Sequence, residues 1–281
     1  MARLPFLLSI VHGGLMLPRE LAPRVAVSPA DIFFDSNPWT REIFNFGELV
    51  QGRLDFETAR IIIDLDKDPA QKFPITENSI VKLRTRYNKP VWKEGEEPPA
   101  DEVNRLIDRY HRMFHETLER TASRGGVRMG IDCHSMAPVG APLDPDPGAM
   151  RPMFCIGNLG DENGEGEWLS CNPEFLHLFK EAVEEEFSEL ELAEGQKLVS
   201  LNTPYAGGYV LKRHRPDKRG QGTPWLQFTI NRSLVLKDEP EDPATCEVVP
   251  DSDREVVKEV RRRVFRAFSL FAEKANAAKL L

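Results

Sequence analysis

Short apolar runs alternate along the chain with longer segments of helical period. Six runs read as strands, at about 5–11, 59–65, 127–133, 152–157, 197–202 and 225–231. Arg60–Ile61–Ile62–Ile63–Asp64–Leu65 and Leu226–Gln227–Phe228–Thr229–Ile230 show the type: short, and rich in β-branched or aromatic residues. Strands covered on both faces have this composition. Ser28–Pro29–Ala30–Asp31 offers an N-cap, a proline and a first-turn acid for a helix. Asn37–Pro38 restarts a helix through Phe46. Over 99–123, Val103, Leu106, Ile107, Tyr110, Phe114, Thr117 and Leu118 recur three and four apart on one helical face. Asn172–Pro173–Glu174 opens a helix to about Glu186. Ser252–Asp253–Arg254–Glu255 reads as a capping box. The helix after it buries Val256, Val257, Val260, Val264, Phe268 and Phe271.

This alternation predicts an α/β fold of three αβα layers around a mostly parallel or mixed central sheet. The 281 residues show no repeat and no boundary, so 1–281 is expected to be a single domain. Segments 66–98, 136–151 and 158–172 are rich in proline, glycine and acids, and are expected to wall an active site. A net charge of −8 argues against a nucleic-acid partner and gives no attraction to anionic membranes. No apolar run is long enough to span a bilayer, and the start lacks a signal-peptide cleavage site. Cys133, Cys155, Cys171 and Cys246 form no C-x-x-C pair and read as reduced thiols of a cytoplasmic protein.

The candidate chemistry lies where apolar runs stop. Phe6–Leu7–Leu8–Ser9–Ile10–Val11 ends at His12–Gly13–Gly14, and Val127 to Cys133 ends at His134–Ser135. A histidine at the carboxyl end of a buried strand faces the crevice where open α/β sheets bind ligands. Neutral imidazole is the commonest metal ligand, so the pair suggests a zinc-hydrolase framework; two structural histidines are the alternative. A hydrolytic zinc site takes about three protein ligands and leaves one position open. Asp35, in apolar surroundings, is the best third candidate, ahead of Glu20 and Asp31; its other reading is a helix cap. Asp132 is expected to point to the face opposite His134, as a supporting acid. His111 and His115 form an H-x-x-x-H pair without the intervening glutamate of a zinc motif. A wheel at 100° per residue places both beside the apolar stripe, as flank or surface histidines. His177 and His214 read as isolated surface residues. Arg60 and Lys67, at the two ends of the 61–65 run, and Arg213 are candidates for gripping a substrate carboxylate. Gly207–Gly208 permits close backbone approach to a ligand. Ser135 lacks a G-x-S-x-G elbow.

Taken together these stretches resemble the N-formylglutamate amidohydrolase family. The matching segments are Ile10–Val11–His12–Gly13–Gly14 with Pro18 beyond, Asp35–Ser36–Asn37–Pro38–Trp39 on to Phe44, Arg60 to Leu65, Tyr110–His111–Arg112 with His115, Asp132–Cys133–His134–Ser135, Asn202–Thr203–Pro204–Tyr205 with Gly207–Gly208–Tyr209, and Gln227–Phe228 through Asn231–Arg232–Ser233–Leu234. The resemblance implies a carboxypeptidase-like (phosphorylase/hydrolase-like) fold and one zinc ion held by His12, His134 and an acid near Asp35. It implies cleavage of the amide of a small N-acyl amino acid or related amide. Four positions depart from the family pattern. Asp66–Lys67 stands where the family usually has Asn–Arg, which keeps a cation but loses the bidentate fork and adds an acid that would repel a dicarboxylate. Thr229 stands where a general-base glutamate is expected, leaving the catalytic base unassigned. Asn37 stands where many relatives have an acid. A catalytically silent member that binds a metal or small molecule is therefore the alternative.

Overall fold

The computed structural model describes residues 3–71, 76, 79–236, 240, 243–251 and 253–281. Six strands form one sheet: β1 (Leu4–Ile10), β2 (Val50–Asp55), β3 (Met129–Met136), β4 (Phe154–Gly157), β5 (Val199–Leu201) and β6 (Trp225–Asn231). Their order is β2-β1-β3-β6-β4-β5. Neighbours run parallel except β6 and β4, which pair antiparallel. The sheet is thus mixed and mostly parallel, with helices on both faces.

Side-chain alternation builds the layers. Phe6, Leu8 and Ile10 of β1, Met129, Ile131 and Cys133 of β3, and Leu226, Phe228 and Ile230 of β6 share one face. Against it pack α2 (Thr40–Ile43), α5 (Pro173–Glu186) and α7 (Arg254–Ala277). On α7 the seam is Val257, Val260, Val264, Phe268 and Phe271, at the spacing of one helical face. Leu7 of β1 and Trp225 of β6 face the other way. They are covered by the helical run α3 (Ala100–Leu106) and α4 (Met113–Ala122), joined by a π-helical turn at Ile107–Arg112. The interior positions 132, 134, 227 and 229 on this second face are polar, and the apolar layer there gives way to the site.

The chemistry of the elements explains their bounds. In α1 (Pro29–Asp35), Ser28 Oγ accepts from Asp31 N, and Asp31 Oδ2 accepts from Ser28 N. The start of α7 is capped by Asp253, whose carboxylate accepts from Glu255 N at 2.8 Å. The capping box expected from Ser252 falls outside the described residues.

One predicted strand is corrected. Ile61, Ile62, Ile63 and Leu65 are fully buried, but they lie in turns, not in the sheet. The place beside β1 belongs to β2, with Leu7 opposite Gly52 and Ile10 opposite Asp55. A short apolar run reports burial, which a packed turn meets as well as a strand does. Being an edge strand with polar residues and a glycine, β2 carried no such signal.

Candidate active site

Main-chain hydrogen bonding brings His12 to the junction after α1. Beyond β1, the His12 carbonyl accepts from Asn37 N at 2.9 Å. The His12 ring is buried, and its Nε2 lies 2.6 Å from Asp64 Oδ1. Asp64 also accepts from Arg60 Nη2 at 2.8 Å and from Asp66 N at 3.0 Å. Lys82 Nζ stands 3.7 Å from Asp64 and 3.6 Å from Asp35. Asp35 accepts from Arg86 N at 2.7 Å and lies 4.0 Å from Arg60 Nε. Two acids and two cations therefore form a buried network beneath His12.

His134 sits on β3. Its Nε2 is 2.7 Å from Asp132 Oδ2, and its Nδ1 is 2.9 Å from Asn37 Oδ1. The rings of His12 and His134 meet edge to face, centroids 5.1 Å apart. Each imidazole thus has Nε2 directed at a buried carboxylate. With the proton on Nε2, His12 Nδ1 keeps its lone pair, the arrangement that orients metal-binding histidines; His134 Nδ1 faces the Asn37 oxygen, which only accepts, and binds a metal once it gives up its own proton. His12 Nδ1 has no hydrogen bond among the described residues. Two imidazole nitrogens are donors that suit zinc, and the Asn37 amide oxygen stands beside them where such a site ordinarily takes a carboxylate. Asp66, Asp132 and His134 also place ligand atoms within 4.8 Å of one another. That group already uses Asp132 to hold His134 Nε2.

Burial sets the ionisation here. It pulls the His12 pKa down to about 3, against the pull of Asp64, so the ring is neutral at physiological pH. Burial also opposes charging of His134, but the Asp132 carboxylate outweighs it and raises that pKa. Asp66 is pushed up to about 7 by burial and by Asp132. Its carboxylate accepts from Val210 N at 2.8 Å and so caps α6 (Tyr209–His214). A Cβ on Gly208 would overlap this carboxylate, which is why a glycine stands there.

The histidines open onto a cleft of about 920 Å³. Loops 66–98 and 136–151 contribute to its wall, as expected; 158–172 does not. Of the residues singled out from sequence, His12, His134, Arg60, Lys67, Arg213, Asp66 and Thr229 all line it, whereas Asp35 does not. Arg60 is committed to Asp64, and Arg213 reaches Glu119 at 3.6 Å. Lys67 has no ion pair among the described residues. Thr229 pairs in register with His134, faces the cleft, and accepts from Gln227 Nε2 at 3.1 Å.

Two readings are overturned. Asp132 shares the face of His134, because residues two apart on a strand point the same way. His111 and His115 are buried, not surface residues. Their Nε2 atoms donate to the Lys67 and Leu65 carbonyls at 3.0 and 2.8 Å, and His214 bonds His115 at 2.9 Å. The π-helical turn under His111 shifts the phase of the helix, so a wheel of constant pitch misplaces both rings. The three histidines pin the backbone that carries Asp66 and Lys67 into the cleft.

The family model for N-formylglutamate amidohydrolase matches residues 4–236. The chain belongs to the N-formylglutamate amidohydrolase family. Among its relatives, N-formylglutamate deformylase of Pseudomonas putida is 26% identical over 221 residues, covering 75% of each chain. The Pseudomonas aeruginosa protein of the same name is 27% identical over 221 residues, again 75% of each. A crystal structure of N-formylglutamate amidohydrolase from Ralstonia eutropha superimposes with a TM-score of 0.67 at 19% identity, over 99% of this chain and 95% of that one. The family match spans every residue of the cleft named above. It therefore includes the two carboxylate-held histidines and also Asn37, Asp66, Lys67 and Thr229.

Proposed function

We propose that this protein is a zinc-dependent amidohydrolase that cleaves the amide of a small N-acyl amino acid of the N-formylglutamate kind. Family membership supports the reaction class, and the names of the two Pseudomonas relatives support the substrate. The observation that carries the reading is the pair His12–Asp64 and His134–Asp132 at the floor of one cleft. Bound zinc would polarise the amide carbonyl and lower the pKa of its water to about 7.

The chain's own residues prepare that chemistry. Asp64 and Asp132 fix the tautomer and orientation of the imidazoles. Burial keeps His12 unprotonated and able to donate its lone pair. Asn37 supplies the oxygen beside His134, while Asp35 serves the ion network and the backbone of Arg86. Lys67 and Arg213 offer positive charge along the cleft.

Thr229 favours a second reading. Its hydroxyl stands in register with His134 and cannot take a proton at neutral pH. A catalytically silent protein that binds a metal or small molecule is consistent with that residue. Zinc-supplemented protein should be assayed against N-formyl-L-glutamate and a panel of N-formyl and N-acetyl amino acids, following release of the acid. Turnover that disappears in His12→Ala and His134→Ala supports the hydrolase. Binding of these compounds with no turnover of any supports the silent member.

A further inference from the structure

Arg86 is held in place from both sides of its backbone. Its N donates to Asp35 Oδ1 at 2.7 Å, and its carbonyl accepts from Leu143 N at 3.1 Å. The side chain is only 10% exposed, lines the cleft of His12 and His134, and leaves Nε and Nη1 without a partner among the described residues. Its one side-chain ion pair among the described residues is to Asp144, at 3.6 Å from Nη2. Asp144 is already engaged: its Oδ2 accepts from Arg151 Nη2 at 2.7 Å and from Ala141 N at 3.0 Å. Arg86 is therefore a buried cation with a loose counterion and unmet donors, an arrangement that is costly unless something else satisfies it.

Tyr205 supplies the second half. It lines the same cleft, its ring lies under the Arg151 guanidinium at 5.2 Å, and its hydroxyl is buried with no partner among the described residues. Arg86 and Tyr205 line the same cleft and are linked through one pair of residues: Asp144 pairs with Arg86, and Arg151 holds Asp144 and covers the Tyr205 ring. Both carry donors, so two positions on different loops lack the same thing, an acceptor. A carboxylate has acceptor capacity for a guanidinium and a phenol together.

We propose that Arg86 and Tyr205 form a carboxylate-binding subsite of the cleft. This rests on the reading that the cleft holds an N-acyl amino acid. The subsite replaces the grip that Asp66–Lys67 does not provide: Asp66 is turned to the start of α6, and Lys67 offers a point charge without a fork. Neither Arg86 nor Tyr205 need be built by substrate binding, since Asp35 and Leu143 position the arginine in advance.

The test is calorimetric titration with glutarate, a dicarboxylate that has no amide to cleave. Wild type should bind it. Arg86→Gln should weaken binding about ten- to hundredfold, the usual weight of a hydrogen-bonded charge. Tyr205→Phe should weaken it severalfold. Because the Tyr205 hydroxyl bonds nothing among the described residues, that variant should melt like wild type and decides the matter if Arg86→Gln fails to fold. Wild-type affinity in folded variants overturns the proposal. So does absence of glutarate binding to wild type at millimolar concentration, or inorganic phosphate binding more tightly than glutarate. Loss of glutarate binding in the variants upholds the subsite even if no amide is hydrolysed, so the two readings fail separately.

Discussion

Replacing Asp64 with asparagine strikes the network beneath His12 at its centre. Asp64 and Asp35 balance Arg60 and Lys82, with contacts at 2.8 Å to Arg60 and 3.7 Å to Lys82. At an effective dielectric of about 20, charges at the Lys82 distance attract by about 4 kcal/mol before desolvation is counted. Asp64→Asn leaves two buried cations facing only Asp35, and unpairing of this kind costs about 3–5 kcal/mol. That is a large part of the roughly 5–15 kcal/mol that holds a domain folded. Asparagine keeps an acceptor for His12 Nε2 but turns an amide toward Arg60. Zinc affinity should therefore fall by about tenfold, the low end of what outer-shell partners contribute. Adding Lys82→Met removes the surplus cation. The double variant should regain about 2 kcal/mol of stability and none of the lost zinc affinity. Urea unfolding and competitive zinc titration read the two effects. The reasoning is refuted if Asp64→Asn unfolds within about 1 kcal/mol of wild type, or if Lys82→Met destabilises the single variant further.

Acid should destabilise the fold through His111 and His115, whose pKa values burial lowers to about 4 and about 2. Below the unfolded value of 6.5 the unfolded chain binds more protons, so stability falls as pH drops from 6.5 toward 4. Between pH 7 and 5 the pair accounts for about 4 kcal/mol of loss, and a foldable His111→Gln/His115→Gln variant should show a correspondingly flatter profile in denaturant titrations. Thr229→Glu should raise the hydrolysis rate, by up to about 10²–10⁴-fold for a well-placed base, and add an acidic limb to the pH–rate profile. An unchanged rate in folded, zinc-loaded Thr229→Glu would mean this strand position is not where the base belongs. Gly208→Ala should cost about 1–3 kcal/mol by forcing a methyl group against the Asp66 carboxylate; a melting curve identical to wild type would contradict that packing.

The site's two anchors were legible because each is a local event: an apolar run that stops at a histidine. The same logic predicted β1, β3 and β6 and the helices that cover them. It failed at 61–65, where burial without pairing imitates a strand, and at β2, whose edge position leaves Gln51, Gly52 and Arg53 partly exposed. Asp132 was recoverable from parity alone, since residues 132 and 134 share a face of any regular strand. The partners Asp64 and Arg86 were not, because their roles depend on loops that return from 50 or more residues away: Asp64 meets His12 across 52 positions, and Arg86 meets Asp35 across 51. The burial of His111 and His115 depends on a π-helical turn that no apolar periodicity announces.

The most direct test of the account is metal content. Protein purified without chelator, supplemented with zinc and dialysed should retain one zinc per chain by elemental analysis. His12→Ala and His134→Ala should each lose it, with circular dichroism unchanged, while His177→Ala should keep it. A wild-type protein that retains no zinc, or folded His12→Ala and His134→Ala variants that retain it fully, would contradict the claim that these two imidazoles form the metal centre of the cleft.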